Sequence, residues 1–306
     1  MAGSPGAGHP PGTALPTGTV LPTGTGDLPP ETLPPETLPP GALTDARHAR
    51  AVADALVASG SFTADLRMPP DQWFRWKSGI LAPCGCNCRL LNAVPVLRRL
   101  VDDALADSIR SSFPDADYIV GVAHAGIPWA KTVAERLDLP LAYVRAEARA
   151  PGGPVVECSP TGGARAVIVE DVVASGGSTA RAIQALLAET NLRVAGVQSI
   201  ANWNFPEMRE LLASLTVRAV TSYPQVLASA REAGMLSETD TGQLMRFYAD
   251  PRRHPWDCGP ARDTTLSGAI PMQHVFRLEQ FRPTGACASR RQSRHYATGP
   301  HDSGSL

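Results

Sequence analysis

Glu170 and Asp171 are adjacent acids at the end of an apolar run, just ahead of a loop of small residues, in the stretch VIVEDVVASGGSTARAI over 167–183. Paired carboxylates at the carboxyl end of a strand suit the vicinal hydroxyls of a sugar, which are paired donors. They can also hold Mg²⁺ through water. The loop, Ala174, Ser175, Gly176, Gly177 and Ser178, runs through Thr179 into a helical segment. Loop amides and a helix N-terminus then point at one place and hydroxyls add donors, which is an anion cradle. Gly176 and Gly177 permit close approach and unusual dihedrals. A plain glycine turn between a strand and a helix would use the same glycines, but it has no need of the acid pair or the hydroxyls. The chain has no Gly-x-x-x-x-Gly-Lys-Ser/Thr, and no Gly-x-Gly-x-x-Gly after a strand, so the nucleotide loops of those kinds are excluded.

These residues need a scaffold that brings strand ends to one edge. The order of segments predicts one. DALADSIRSSF reads as a helix, DYIVGVA as a short buried strand, IPWAKTVAERLDL as a helix and LAYVRA as a strand. ARAVIVED is a strand, STARAIQALLAET a helix with Ile183, Leu186 and Leu187 on its buried side, VAGVQSIANW a strand and FPEMRELLASL a helix. Short strands alternating with helices of about ten residues imply a mostly parallel sheet with helices on its faces. Ahead of this, ARHARAVADALVASGSF has helical spacing with Ala51, Leu56 and Val57 on one side, closed by Gly60. After it, QVLASAREAGMLSETDTGQLMRFY predicts a helical pair broken at Gly234.

The 306 residues carry 28 basic and 29 acidic side chains. That balance offers no basic field for nucleic acid or an anionic membrane. The apolar runs are far short of a membrane span, and no basic-then-apolar leader opens the chain. Six cysteines in this length point to a reduced, cytoplasmic protein rather than a disulfide scaffold. Residues 1–43 are rich in Pro, Gly and Thr, with near-repeats such as LPPETLPPETLPPG, and are expected to be disordered. A single domain is expected over 44–256, followed by an extension over 257–306 that is irregular from about 285.

The acid pair, loop and flanking elements resemble the diphosphoribose-binding signature of type I phosphoribosyltransferases. FRWKSGILAP (74–83), GVAHAGIPWAKTVAERLDLPLAYVR (121–145) and SYPQVLASAREAGMLSETDTGQLMRFYADP (222–251) are similar to further segments of the orotate phosphoribosyltransferases, over about residues 48–256. The resemblance implies an α/β fold with a mostly parallel sheet, a small N-terminal hood and C-terminal helices. It implies a Mg²⁺-dependent transfer of phosphoribosyl from 5-phosphoribosyl 1-diphosphate to a base, and a homodimer whose mobile loop reaches the neighbouring site. Carried over, Glu170 and Asp171 bind the ribose hydroxyls and Ala174, Ser175, Gly176, Gly177, Ser178 and Thr179 hold the 5-phosphate. His124, Ala125 and Gly126 form the diphosphate loop, mainly through backbone amides. Lys77 sits near base and diphosphate, Arg145 leads into the mobile loop, and Arg149 with Lys77 supplies the catalytic cations.

Two departures matter. Where the family has lysines and a His-Gly, this chain reads AEARAPGGPVVEC over 146–158: the lysine positions fall on Ala146, Glu147 or Arg149 depending on alignment, Pro151 stands for the histidine with Gly152 kept, and Arg149 is the cation that remains. Transfer to another acceptor, or a sensor that binds donor without turnover, is the alternative reading. The base-side segment Pro-x-Tyr-x-Asp-x-Arg reads Pro83-Cys84-Gly85-Cys86-Asn87-Cys88-Arg89. On one strand face, Cys84, Cys86 and Cys88 would line up about 6–7 Å apart, a poor set for one Zn²⁺, so they are expected to be small half-buried strand residues. His254 and Cys258 are expected to be a loop pair without a role. Trp73 and Trp76 are expected in the core or an interface.

Overall fold

The computed structural model describes residues 45–157 and 163–252. The tail expected over 1–43, the extension over 257–306 and the His254/Cys258 pair lie outside the described residues.

In chain order the elements are α1 (Ala46–Ala58), β1 (Phe62–Ala64), β2 (Phe74–Arg75), β3 (Leu81–Ala82), β4 (Cys84–Cys86), α2 (Pro95–Ser112), β5 (Tyr118–Val122), α3 (Gly126–Leu137), β6 (Leu141–Val144) and β7 (Val156–Glu157). They continue with β8 (Arg165–Val173), α4 (Gly177–Glu189), β9 (Arg193–Asn202), α5 (Pro206–Leu211), β10 (Thr216–Ser222), α6 (Tyr223–Glu232) and α7 (Glu238–Ala249). The main sheet has the order β10-β9-β8-β5-β6-β7 and is parallel except for the β6–β7 pair. Parallel strands need crossovers, and the helices that supply them cover both faces. Along β5, Ile119 enters one core with Trp129 and Val133 of α3, whereas Tyr118, Val120 and Val122 enter the other with Ile183 and Leu186 of α4. This alternation is the period of two expected of a strand covered on both sides.

Two small antiparallel pairs, β1–β4 and β2–β3, form the hood. An aromatic cluster ties it to the C-terminal helices. Trp76 stacks on Phe205 with centroids 5.9 Å apart and meets Phe247 of α7 edge-on at the same distance. Its indole N–H donates to the Cys84 carbonyl at 3.1 Å. Tyr223 stacks on Tyr248 and meets Trp203 edge-on. Such pairs contribute about 0.5–1.5 kcal/mol each beyond their burial, so the cluster fixes where the residue after Trp76, Lys77, is held. Trp73 is buried, with its indole N–H donating to the Met68 carbonyl, in line with a core role.

Several expectations need correction. The buried stripe of α1 is Ala49, Val52, Ala53 and Leu56; Ala51 and Val57 are only partly covered. Alanines on every side leave the face ambiguous until α6 and β10 pack against it. Leu187 is exposed, one position round α4 from the buried Leu186. The strand β10 is not among the expected elements, although Thr216, Val217, Val220 and Thr221 are β-branched, and it pairs in parallel with β9. Cys88 does not continue the strand: it opens a 3₁₀ turn over Cys88–Ala93. Gly234 separates α6 from α7 as expected, at φ 73°. No described helix is long and apolar enough to cross a membrane.

Candidate active site

The strand β8 carries Glu170 and Asp171 to the carboxyl edge of the sheet, and α4 begins six residues after Asp171. Gly176 stands just ahead of α4 at φ 78°, the left-handed region that favours glycine. No side chain caps the α4 N-terminus, so its first amides remain available to an anion. The Ser178 and Thr179 hydroxyls both lie 3.5 Å from Glu170 Oε1, at the outer limit for donation. Thr179 and Glu170 are buried.

The loop after β5 closes on the same spot. Ala123 N–H donates to the Val144 carbonyl at 2.9 Å, His124 is exposed, and α3 begins at Gly126. The Ala123–His124 peptide is cis. A Cβ at Gly126 would lie 2.4 Å from the Val169 carbonyl oxygen and 3.3 Å from Glu170 Oε2. Only glycine lets this turn seat against the acid pair, so Ala125 and Gly126 present their backbone beside Glu170.

Burial pushes the Glu170 carboxyl well above its ordinary value, and the Asp171 charge adds to the effect; Lys77 opposes it. Burial likewise raises Asp171, against backbone hydrogen bonds and the charges of Arg89 and Lys77. Lys77 comes from the turn between β2 and β3, and Arg89 from the 3₁₀ turn after β4. Cys88 also lies here: contact with Cys86, then burial, and then the Asp171 charge raise its thiol well above the ordinary range.

The expected mobile loop frames a cavity of about 660 Å³ whose lining includes His124, Tyr143, Arg145, Glu147, Arg149 and Glu157. Arg145 and Arg149 both bind Glu157, at 3.1 and 2.8 Å. The Arg145 hydrogen bond is the main reason that the Glu157 carboxyl is held below its usual range. The structure therefore brings together the acids, Ser178, Thr179 and Gly126. It sets Lys77 within electrostatic range of the acids, and groups His124, Arg145 and Arg149 around the adjoining cavity. Arg149 engages Glu157 there.

Two neighbours of this site are not among the residues expected from the sequence. Arg89 had a signal, since it persists at the end of the altered Pro83–Arg89 segment. Glu157 had none, because its role appears only when β7 pairs with β6 and sets it opposite Tyr143.

Among the described residues no three His, Cys, Asp or Glu side chains are grouped to hold a metal. The sulfurs of Cys86 and Cys88 are 3.7 Å apart, closer than the strand spacing implied, because the 3₁₀ turn curls Cys88 back. Cys84 is buried, with its sulfur 3.2 Å from the Tyr223 hydroxyl.

The arrangement can hold a phosphorylated sugar by its hydroxyls, its phosphate and a second anionic group. Residues 91–207 match the phosphoribosyl transferase domain family. The orotate phosphoribosyltransferase of Bacillus caldolyticus is 38% identical over 187 residues, which are 60% of this chain and 90% of that protein. That of Bacillus subtilis is 34% identical over 190 residues, 61% of this chain and 88% of the relative. Among solved structures, the orotate phosphoribosyltransferase of Aeropyrum pernix superposes with a TM-score of 0.51 at 26% identity, over 61% of this chain and 99% of that one. The UMP synthase of Leishmania donovani gives 0.55 at 26% identity, over 65% of this chain and 42% of that one. With this similarity added to the acid pair, the cradle and the parallel sheet, the chain belongs to the orotate phosphoribosyltransferase family of type I phosphoribosyltransferases.

Proposed function

We propose that the protein joins phosphoribosyl from 5-phosphoribosyl 1-diphosphate to orotate and releases diphosphate, a step of pyrimidine nucleotide synthesis. The observation that carries this reading is the seating of Gly126 against Glu170 beside the uncapped start of α4. It sets amide donors suited to two phosphate groups beside carboxylate acceptors suited to two hydroxyls. In the reaction the bond from the anomeric carbon to diphosphate oxygen breaks and a bond to a ring nitrogen of the base forms. The protein's task is positioning and stabilising charge around an oxocarbenium-like centre. Glu170 and Asp171 hold the ribose hydroxyls, and residues 174–179 hold the 5-phosphate. His124, Ala125 and Gly126 hold the diphosphate. Lys77, Arg145 and Arg149 neutralise charge as the diphosphate leaves.

Mg²⁺ fits the donor set. Two hard carboxylates side by side, raised by burial and, for Glu170, by its neighbour's charge, gain from a cation. Mg²⁺ is held by one or two carboxylates together with substrate phosphates rather than by a full protein cage. When bound, it would neutralise the diphosphate.

A second reading, transfer to another acceptor or donor binding without turnover, is favoured by one observation: both loop arginines are engaged by Glu157. A turnover assay with the donor, Mg²⁺ and a panel of bases, read by mass spectrometry, separates the two. Orotate should give orotidine 5′-monophosphate and diphosphate. Product from a different base alone, or donor binding with no product, would replace the orotate reading. The site is expected to work in a cytoplasmic homodimer, the commonest oligomer type. Light scattering at micromolar concentration should give twice the chain mass, and a monomer mass would defeat the assembly.

A further inference from the structure

We propose that Cys86 and Cys88 form an oxidisable thiol pair whose disulfide weakens donor binding at Glu170 and Asp171, a control that rests on the transferase reading of that site. The two sulfurs lie 3.7 Å apart and both thiols are free. A disulfide is about 2.05 Å long, so the sulfurs close by about 1.7 Å. Cys86 is partly exposed at the end of β4, whereas Cys88 is fully buried. An oxidant therefore meets Cys86 first, and Cys88 is its resolving neighbour. Cys84 is apart from this pair, fully buried with its sulfur against the Tyr223 hydroxyl.

The movement has a defined place to go. Cys86 is held by pairing with Phe62, and Asn87 N–H donates to the Ser61 carbonyl at 2.7 Å. The strand side is thus anchored, and the displacement falls on Cys88 and Arg89 at the start of the 3₁₀ turn. The Asp171 charge is felt by Cys88, and the Arg89 charge is felt by Asp171. Arg89 follows Cys88 directly and its guanidinium donates to the Asn87 side chain at 2.8 Å, so closing the bridge moves a cation whose charge reaches Asp171.

With hydrogen peroxide as oxidant, the Cys86 sulfur attacks one peroxide oxygen. The S–O bond forms, the O–O bond breaks, and hydroxide leaves with the thiol proton as water. The Cys88 sulfur, whose buried thiol keeps its proton above the ordinary range, then attacks the Cys86 sulfur as that proton passes to the leaving hydroxide. The S–S bond forms, the S–O bond breaks, and the second hydroxide leaves with the Cys88 proton as water. Two thiols have lost two electrons and one peroxide has become two waters. A bridge across one residue, open to solvent on one side, is of the labile, reducible kind suited to a reduced compartment.

The test uses the full chain, treated with peroxide, alkylated and cleaved with trypsin. The peptide from Ser78 to Arg89 should lose two hydrogens in the wild type and in Cys84→Ser, and should not in Cys86→Ser. Calorimetry with 5-phosphoribosyl 1-diphosphate and Mg²⁺ should find binding about tenfold weaker after oxidation, within the usual range of coupling between sites. Reductant should restore it, and Cys86→Ser should bind equally with or without peroxide. By reciprocity, saturating donor should disfavour the bridge by the same factor, about 30 mV for a two-electron couple. Oxygen additions in place of hydrogen loss would overturn the thiol chemistry. A bridged protein that binds donor as tightly as the reduced one would overturn the control. If the reduced wild type fails to bind donor, the transferase reading and the control fall together, while the peptide mass still decides the bridge.

Discussion

Changing Glu170→Gln and Asp171→Asn together abolishes donor binding and, in the ligand-free protein, raises the melting temperature. The two effects have one cause. Burial pushes both carboxyls up, and the Asp171 charge pushes Glu170 further. An acid whose folded value is raised binds more protons in the fold than in the unfolded chain. Its ionisation therefore costs stability, and the cost grows as pH rises from the ordinary value through the raised one. At neutral pH, above the ordinary value of both acids, the empty site carries such a cost, and the amides remove it. The gain should vanish as the pH falls below the ordinary values of 4.5 and 3.8. For a fold of this size each kcal/mol recovered appears as about 2–4 °C. The buried amide that replaces the Glu170 carboxylate keeps a carbonyl oxygen for the Ser178 and Thr179 hydroxyls, so the fold survives. Hydrogen bonds to charged groups contribute about 1.5–3 kcal/mol each. Losing the charges from both acids should therefore cost donor affinity by at least about 100-fold. Calorimetry showing unchanged affinity in the folded double variant would remove these residues from the site. A lowered melting temperature would show that the pair is stabilised by something other than its ligand.

The same acids show how much is legible in the sequence. VIVED followed by ASGGST is a local pattern: the strand, the loop and the helix start follow from neighbouring residues, and all three are present. The alternating strands and helices are legible for the same reason, since periodicity is carried by neighbours in the chain. What is not legible depends on contacts between distant segments. Trp76 meets Phe205 and Phe247 far along the chain, and no local pattern announces that the hood docks there. Gly126 looks like any glycine at a helix start until the Val169 carbonyl of β8 lies 2.4 Å from its missing Cβ. Cys88 reads as a strand residue because Cys-x-Cys-x-Cys has the period of a strand, whereas the chain turns at Asn87. Glu157 is invisible in the sequence because its partners, Arg145 and Arg149, reach it only across the β6–β7 pair.

That last contact shapes the second large effect: adding positive charge to the loop raises turnover with orotate. Around the cavity, Arg145 and Arg149 are matched by Glu147 and Glu157, two cations against two acids, so the loop offers no net positive charge to a departing diphosphate. Glu157 also engages both guanidinium groups at once. The double change Glu147→Lys with Pro151→His replaces an acid by a cation and adds an imidazole at an exposed turn. Both groups act where charge develops as the anomeric bond breaks, and the cradle and acids already bind the ground state. The change should therefore raise kcat while leaving donor affinity nearly unaltered. One well-placed electrostatic stabiliser is worth about 2.7–4 kcal/mol in a closed site, and an exposed loop realises part of that, so a gain of about tenfold is expected. Arg149→Ala should act in the opposite direction, lowering kcat by about 100-fold if Arg149 leaves Glu157 to meet the diphosphate. Steady-state kinetics on the wild type and the two variants, with donor affinity measured separately, reads all of this. Brisk wild-type turnover, unchanged by Arg149→Ala, would mean that the loop cations are not needed and that Lys77 and the diphosphate loop suffice. Silence in both the wild type and the double variant, with donor still bound, would remove orotate as the acceptor and leave the donor site to another base or to a sensing role.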